Sequence, residues 1–249
     1  MKRRVKLMNT FVDSYDMKGT INEMKKIIKT RTITQHVVVN ANKINLMYED
    51  DKLQDIVSSC SLINADGKSI VWANKFLKSD TLIHRVTGID LFEELIRVSE
   101  EEGYRIFYLG AKDETVKCVV DKHRRAFPQL NIVGFHHGYF DKENCDEVIE
   151  EIRQSHADIL FVAFPSPTKE YWLNKYKYDL NVPLQIGVGG SFDVVSGNIK
   201  RAPLWVQTIG MEWFYRWIFE PRRLFKRYFI GNTKFVAHLF SERKKLKNV

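Results

Sequence analysis

Between about residue 34 and residue 188, short β-rich runs alternate with longer amphipathic runs, and this alternation restricts the fold more than any other feature. Several of the short runs are apolar along their whole length, as strands buried on both faces of a parallel sheet must be. The predicted strands are His36 to Val39, Ser61 to Asn64, Arg105 to Leu109, Asn131 to Phe135, Asp158 to Ala163 and Leu184 to Gly187. Such an order predicts an α/β fold.

Apolar residues at helical spacing separate these strands, with polar residues on the opposite side of each helix. The predicted helices run from Gly88 to Glu102, Asp113 to Phe127, Glu143 to Ser155 and Thr168 to Tyr178. Before them, the first 33 residues contain two short β-prone pieces and a helix near Met17 to Lys29. We therefore expect a Rossmann-like, mostly parallel sheet with helices on both faces.

Composition excludes several classes of protein. A chain of 249 residues can bury a large core, and its 44% hydrophobic and 28% charged residues are ordinary values for a folded domain. The longest run without Asp, Glu, Lys, Arg or His, Leu180 to Phe192, has thirteen residues, and the runs Ile159 to Thr168 and Ala202 to Met211 have ten each. A bilayer-spanning helix needs about eighteen apolar residues, so we expect none. No secretory signal is readable, and three scattered cysteines fit a reducing, intracellular compartment.

The net charge of +8 is concentrated in residues 200–249, which we call the C-terminal appendage. It holds twelve Lys or Arg against three acidic residues, whereas residues 1–199 sum to −1. It also holds eleven of the 31 aromatic residues. We therefore expect an α/β catalytic domain over 1–199 and an appendage over 200–249 that seeks an anionic surface.

Four strand-to-helix joints carry the candidate site residues, because ligands of open parallel sheets bind beyond the carboxyl ends of the strands. At the first joint, Asn40 and Asn42 follow a strand. Their amides could hydrogen-bond a ligand or cap the next helix, and capping alone accounts for them about as well.

At the second joint, Asp66 ends a β-run and precedes Gly67. A carboxylate at this position could accept a proton from a substrate hydroxyl while the glycine lets the substrate approach the backbone. The alternative is that Asp66 caps the helix through Val71 and Trp72, and local sequence alone favours that alternative.

Glycines mark the other two joints. Gly110 turns a strand into a helix, where backbone amides could hold a phosphate, although a plain tight turn explains it equally well. The last predicted strand ends in Gly187, Gly189 and Gly190, followed by Asp193. Three glycines in four residues cost conformational entropy, so close approach of a ligand to the backbone is the natural explanation.

The sequence contains no pattern typical of a metal site. There is no H-E-x-x-H motif, no paired-cysteine cluster and no D-x-D pair for a nucleotide-bound divalent cation. We expect neither a metal nor another cofactor.

In the appendage, Pro221 is predicted to end one helix and begin another. The second helix has an aromatic stripe opposite a basic one, as interfacial helices on anionic bilayers have. The predicted membrane contacts are Trp213, Trp217, Leu224, Phe225, Lys226, Arg227, Tyr228 and Phe229. Two alternatives remain: the stripe could pack on the domain, or the surface could bind nucleic acid, although no nucleic-acid-binding motif supports this.

Ordered motifs over nearly the whole chain resemble the WecG/TagA/CpsF family of bacterial glycosyltransferases. They are N-A-N at 40–42, A-D-G at 65–67, R-V-T-G-I-D-L at 85–91, Y-L-G at 108–110, S-P-T-K-E-Y-W at 166–172, G-V-G-G-S-F-D at 187–193, R-A-P-L-W at 201–205, G-M-E-W-F-Y-R at 210–216 and E-P-R-R at 220–223. Many members have Thr-Pro-Asn instead of residues 40–42 and Gln instead of Lys169.

The resemblance implies an inverting, metal-independent transfer of a sugar (HexNAc, uronic acid or hexose) from a UDP-sugar to a polyprenyl-diphosphate-linked sugar. The resemblance implies a role in surface polysaccharide or teichoic acid synthesis. It also implies an enzyme that is peripheral at the cytoplasmic face of the bacterial membrane and a possible homo-oligomer. Asp66 falls on the family's proposed base, and Arg216, Arg222 and Arg223 on the arginines that bind the diphosphate or acceptor. Together with the positions of the strand ends, the resemblance predicts that these residues bind the nucleotide-sugar: Asn40, Asn42, Arg85, Thr87, Gly110, Lys169, Glu170, Gly187, Gly189, Gly190 and Asp193.

A structural alternative exists for Arg85, which could form an ion pair with Asp90. The rival interpretation of the whole chain is a non-catalytic nucleotide-binding or nucleic-acid-binding module. Salt-dependent binding of RNA or DNA without any binding of UDP would favour this rival.

Overall fold

A six-stranded, fully parallel sheet forms the centre of the molecule in the computed structural model, which describes residues 4–77, 81 and 83–247 apart from the side chains of Arg223, Lys226 and Arg227. The strands lie in the order β4-β3-β8-β7-β5-β6. Their bounds are β3 (Thr34–Val39), β4 (Leu62–Ala65), β5 (Ile106–Gly110), β6 (Ile132–His136), β7 (Ile159–Ala163) and β8 (Leu184–Gly187). All six predicted strands are confirmed, with ends that differ by at most two residues.

The first two strands stand apart from this sheet. β1 (Arg4–Leu7) and β2 (Thr10–Asp13) pair as an antiparallel hairpin, in which Val5 lies opposite Val12. Asp13 is buried and accepts hydrogen bonds from the Arg4 guanidinium and from the Ile63 backbone. The hairpin is thereby fixed to the β4 edge of the sheet.

Helices connect the strands, as the alternating pattern predicts. They are α1 (Met17–Thr30), α2 (Ala41–Glu49), α3 (Asp51–Ser59), α4 (Lys68–Phe76), α5 (Gly88–Glu102), α6 (Asp113–Ala126), α7 (Asp146–Gln154), α8 (Thr168–Tyr176) and α9 (Ser191–Ser196). Capping side chains set several starts: Asp16 accepts from the Gly19 amide at 2.7 Å, and Asp50 from the Leu53 amide at 3.0 Å. Such caps satisfy backbone donors that the first helical turn leaves unpaired.

Helices cover both faces of the sheet, because successive strand residues point in opposite directions. Tyr108 and Phe161 pack on the side of α1, α5, α6 and α9, whereas Leu109 and Val162 pack on the side of α7 and α8. α2, α3 and α4 form a further apolar cluster with β3 and β4. The predicted α/β class with a parallel sheet between helical layers is therefore confirmed.

The appendage consists of short helices and one long helix. They are α10 (Leu204–Ile209), α11 (Glu212–Phe219), α12 (Pro221–Phe225), a π-helical turn (Lys226–Ile230) and α13 (Gly231–Lys247). Pro221 begins a helix, as predicted, but the π-helical turn interrupts the regular helix after only five residues. No helix of the described part of the chain is long and apolar enough to cross a membrane.

This interruption changes the predicted aromatic stripe. Leu224 is buried with 3% of its surface exposed, whereas the adjacent Phe225 is 50% exposed. We therefore correct the prediction for Leu224, which is buried and does not lie on the outer surface.

Candidate active site at the carboxyl edge of the sheet

Three of the four predicted joints lie side by side. Asp66 follows β4, Asn40 follows β3 and the glycine-rich segment follows β8, and these three strands are neighbours in the sheet. Because all strands are parallel, the three joints meet at one carboxyl edge. The fourth joint, Gly110, ends β5 and is separated from β8 by β7.

Asp66 directly follows the edge strand β4 and does not cap the next helix, α4. Its backbone N–H donates to the Val39 carbonyl at 2.8 Å. The N-cap of α4 is Gly67, at φ 95°, and no side chain caps that helix. The capping alternative for Asp66 is therefore wrong. As a residue, Asp66 is half-buried at this edge.

The surroundings of Asp66 raise the pKa of its carboxyl above the ordinary aspartate value. Burial is the main cause, and the charge of Glu212 acts in the same direction. Arg85, Arg216 and Lys43 oppose the shift because positive charge favours the carboxylate. A carboxylate with a raised pKa holds a proton more readily, which suits a general base working near neutral pH.

Arg85 connects the sheet edge to the appendage. Arg85 lies next to the carboxyl end of β4, because the N–H of the adjacent Val86 donates to the Ala65 carbonyl at 2.8 Å. Its guanidinium donates to Glu212 of α11 at 2.9 Å and to the Gln207 carbonyl of α10 at 3.2 Å. The appendage thus reaches the vicinity of Asp66.

The structural alternative for Arg85, an ion pair with Asp90, is wrong. Asp90 is bonded instead by Arg201, which also pairs with Glu93 at 3.2 Å. Sequence proximity suggested the wrong partner, because Arg201 is 111 residues away and only folding brings it close.

Two predicted ligand-binding side chains serve the local backbone. Asn40 accepts from the Lys43 amide at 3.0 Å and caps α2, which confirms the capping alternative. Thr87 caps α5, where it accepts from the Asp90 amide at 3.4 Å, and only 5% of it is exposed. Asn42 is half-buried at the start of α2.

A buried charge cluster underlies this edge. Glu170 is 1% exposed and accepts from Lys43 Nζ at 2.5 Å and from Ser166 Oγ at 3.2 Å, and Lys169 Nζ lies 3.0 Å away. Burial raises the pKa of Glu170, but the two lysines hold it below the ordinary value. The carboxylate is therefore ionised and held beneath the edge, so we correct the prediction that it faces the nucleotide-sugar.

Lys43 is the site residue that sequence reasoning missed. It lies on an amphipathic helix, where a lysine ordinarily faces solvent. Here only 3% of it is exposed, because Glu170 from a helix 127 residues away supplies the counter-charge. No local signal distinguishes such a lysine from a solvated one.

The glycines serve two purposes. A Cβ at Gly187 would stand 2.6 Å from Lys169 Cδ, so this glycine makes room for the lysine. No described atom lies within 4 Å of a Cβ at Gly189 or Gly190, which leaves their backbone accessible next to half-buried Asp193. At Gly110, φ is 124° and a Cβ would meet the Ala163 carbonyl at 2.8 Å. The tight-turn alternative for Gly110 is therefore confirmed.

The predicted appendage residues fall into different environments. Arg216 is half-buried and its charge acts on Asp66, whereas Arg222 is exposed. The side chains of Arg223, Lys226 and Arg227 lie outside the described residues. Aromatic rings pack edge to face on one another within the appendage: half-buried Trp213 meets half-buried Tyr228 at 5.8 Å, and half-buried Trp217 meets the exposed Phe229 at 5.1 Å.

An exposed apolar surface lies on α10, which sequence reasoning did not single out. Leu204, Trp205 and Ile209 are 78%, 68% and 53% exposed. On the adjacent α11, Ile218 and Phe219 are also more than half exposed. Clustered exposure of large apolar side chains is typical of surfaces that contact a partner or a membrane.

Within residues 4–77, 81 and 83–247, no three His, Cys, Asp or Glu side chains are placed to hold one metal ion. The candidate site instead contains the half-buried Asp66, the arginines Arg85 and Arg216, the carboxylate of Glu212 on Arg85, and an accessible glycine-rich backbone. Such a set can remove a proton from a hydroxyl and bind phosphate oxygens.

Comparison with known proteins agrees with this chemistry. The sequence profile described as the glycosyl transferase WecG/TagA/CpsF family matches residues 5–249. The chain is also 36% identical, over 193 residues, to a Bacillus subtilis (strain 168) enzyme. That protein is named N-acetylglucosaminyldiphosphoundecaprenol N-acetyl-beta-D-mannosaminyltransferase, and the match covers 78% of this chain and 73% of the relative.

Proposed function

Because the chain belongs to the WecG/TagA/CpsF family of glycosyltransferases, we propose that it transfers a sugar from a UDP-sugar to a polyprenyl-diphosphate-linked sugar. The name of the Bacillus subtilis relative supports an acceptor that carries N-acetylglucosamine and a donor that supplies N-acetylmannosamine. Family membership also favours this interpretation over the rival binding module. Asp66 carries the proposal, since it is half-buried at the carboxyl edge with Arg85 and Arg216 acting on its charge.

In the proposed reaction, Asp66 accepts the proton of the acceptor hydroxyl as that oxygen attacks the anomeric carbon of the donor. The new C–O bond forms on the face opposite UDP, and the bond from the anomeric carbon to the diphosphate breaks, so the configuration inverts. UDP leaves with the electron pair, and the proton remains on Asp66. The transition state resembles the oxocarbenium ions of glycoside chemistry.

The negative charge that develops on the leaving diphosphate needs stabilisation. We assign this to the backbone at Gly189 and Gly190 and to the appendage arginines, of which Arg216 acts directly on the charge of the site. Guanidinium groups pair with two phosphate oxygens at once and stay charged at every working pH. The reaction therefore proceeds, in this proposal, without an essential metal ion.

The appendage has a second proposed role, which is to hold the enzyme on the cytoplasmic face of the membrane. The exposed apolar side chains of α10 and α11 would enter the interface, while the basic excess of the appendage attracts anionic lipids. Each basic residue close to such a surface contributes about 1 kcal/mol at moderate salt.

Replacement of the base tests the reaction. Asp66→Asn keeps the shape of the side chain but removes the proton acceptor, so turnover should fall by at least about a hundredfold. The assay offers UDP-N-acetylmannosamine and a short-chain prenyl-diphosphate-linked N-acetylglucosamine, with EDTA throughout, and the melting temperature checks the fold. Near-normal turnover of a folded Asp66→Asn would remove Asp66 from its role, and absence of transfer by the wild-type chain would refute the activity.

The pH dependence of the rate provides a second test. A base must be deprotonated, so kcat/KM should fall as the pH drops through the pKa of Asp66, which lies above the ordinary aspartate value. Arg85 lowers that pKa, so Arg85→Gln should move the acid limb to higher pH, whereas Arg85→Lys should leave it nearly unchanged. An acid limb that stays in place in Arg85→Gln would show that another group limits the rate.

A further inference from the structure

A groove of about 350 Å³ opens between residues 83–85 and α4, the helix that begins two residues after Asp66. Lys68, Trp72 and Lys75 line it from α4, at positions i, i+4 and i+7 that share one face of a helix. His84 and Arg85 line the opposite side. The catalytic assignment above uses only Arg85 of these residues.

The lining combines positive charge with an exposed aromatic surface. None of the described lining residues is acidic, although Arg85 is paired with Glu212 at the inner end. Lys68 donates to the Thr208 carbonyl, which is neutral, so its positive charge remains. Trp72 is 60% exposed, which is unusual for so large an apolar side chain. The groove therefore suits an anion that carries an apolar group.

The position of the groove connects the proposed base to the exposed surface of α10. Its inner end is Arg85, whose charge acts on Asp66. Two lining residues also meet α10: Lys68 donates to the Thr208 carbonyl, and Arg85 donates to the Gln207 carbonyl. The exposed Leu204, Trp205 and Ile209 belong to that same helix. A lipid on the apolar surface of α10 would therefore lie next to a groove whose Arg85 acts on the charge of Asp66.

We infer that this groove binds the acceptor lipid, with Lys68 and Lys75 on its diphosphate and Trp72 on its first isoprene units. The inference rests on the proposed function, because it assigns a place to the acceptor of that reaction. Charge complementarity and continuity with α10 favour a prenyl diphosphate over a second nucleotide. The donor diphosphate would instead lie at Gly189 and Gly190, on the far side of β3 from Asp66.

Binding of farnesyl diphosphate to the full-length chain, measured by isothermal titration calorimetry, tests the inference without requiring transfer activity. Trp72→Ala/Lys75→Ala should weaken this binding at least about tenfold, because it removes the aromatic surface and one charge-assisted contact. The affinity for UDP should change by less than about twofold, since the donor diphosphate lies elsewhere. Trp72→Phe/Lys75→Arg should largely retain farnesyl diphosphate binding, since ring and charge persist.

The matched control is Lys177→Ala/Tyr178→Ala. Tyr178 is 71% exposed and has the Lys177 ammonium 5.3 Å from its ring, but it follows the end of α8, far from the carboxyl edge. This variant should bind farnesyl diphosphate like the wild type. Melting temperatures verify that each variant folds.

Three outcomes would overturn the inference: no farnesyl diphosphate binding by the wild type, unchanged binding in Trp72→Ala/Lys75→Ala, or an equal loss in the Lys177→Ala/Tyr178→Ala control. Parallel loss of UDP binding would assign the groove to the donor instead and would also overturn it. Failure of the proposed function is distinguishable, because absence of sugar transfer does not alter the farnesyl diphosphate result.

Discussion

The two ends of the appendage, α10 and α13, meet different surroundings. α13 lies against α2: Phe235 is buried at 5% exposure, the Tyr48 and His238 rings stack at 3.9 Å, and Asn45 donates to the Gly231 carbonyl at 2.7 Å. α10 instead exposes most of its apolar surface and touches the body through polar contacts of Lys68 and Arg85. α13 is therefore packed into the core through Phe235, whereas most apolar side chains of α10 are exposed.

This difference shows that an amphipathic pattern does not identify what covers its apolar face. For α13 the cover is the α2 helix of the same chain, so deletion of residues 200–249 would also expose the core around Phe235. For α10 and α11 we propose a membrane. Substitutions that separate the two ends are therefore better tests than truncation.

The largest effect is expected at Phe235. Phe235→Ala should reduce the free energy of unfolding by about 3 kcal/mol, because a buried phenyl ring is lost from a packed cluster. Chemical denaturation with urea measures this change. The folded fraction should still bind anionic vesicles normally, and a loss below about 1 kcal/mol would show that α13 is not part of the core.

A smaller effect, on a different quantity, is expected for α10. Leu204→Ser/Trp205→Ser/Ile209→Ser should weaken binding to phosphatidylglycerol vesicles at least about tenfold, because three exposed apolar side chains are lost from the interface. Co-sedimentation measures the partition coefficient, and stability should change little since these residues are exposed.

The matched control for this variant lies on α13. Val236→Ser/Phe240→Ser removes side chains that are 46% and 59% exposed. Vesicle binding should be nearly unaffected by this replacement. Equal weakening by both variants would contradict the division between the two ends of the appendage.

The smallest effect is expected for the ion pair between α13 and α2. Lys234 Nζ lies 2.6 Å from Glu49 Oε1, and both side chains are about half exposed. Exposed pairs contribute little because solvent screens them, so Lys234→Ala should lower Tm by less than about 2 °C. A larger loss in differential scanning calorimetry would mean that polar contacts, and not Phe235, hold α13 in place.

Much of the sheet was predictable because strands and their ends depend on local patterns. Runs of Val, Ile, Leu and Phe located all six parallel strands, and residues after those strands include Asp66 and the glycine-rich segment. The strand order β4-β3-β8 was not predictable, although it is this order that brings the three joints together. Order depends on contacts between residues far apart in the chain.

Pairings between side chains were the least predictable part of the site. Sequence proximity offered Asp90 as an alternative partner for Arg85, which instead pairs with Glu212, and Lys43 was not expected in the site at all. Asn40 and Thr87 cap helices, which local sequence does favour for these residue types. Local hydrogen bonds thus followed from sequence, whereas ion pairs between distant elements did not.

Taken alone, the sequence determined the α/β class, the six strands, the candidate base Asp66 and the concentration of charge after residue 200, because periodicity, residue type and charge are properties of a linear chain. Tertiary structure decided that Gly67 and not Asp66 begins α4, that α13 joins the core, and that Leu224 turns inward. Each of these depends on which surfaces meet after folding, and burial and counter-charges are set only by that meeting.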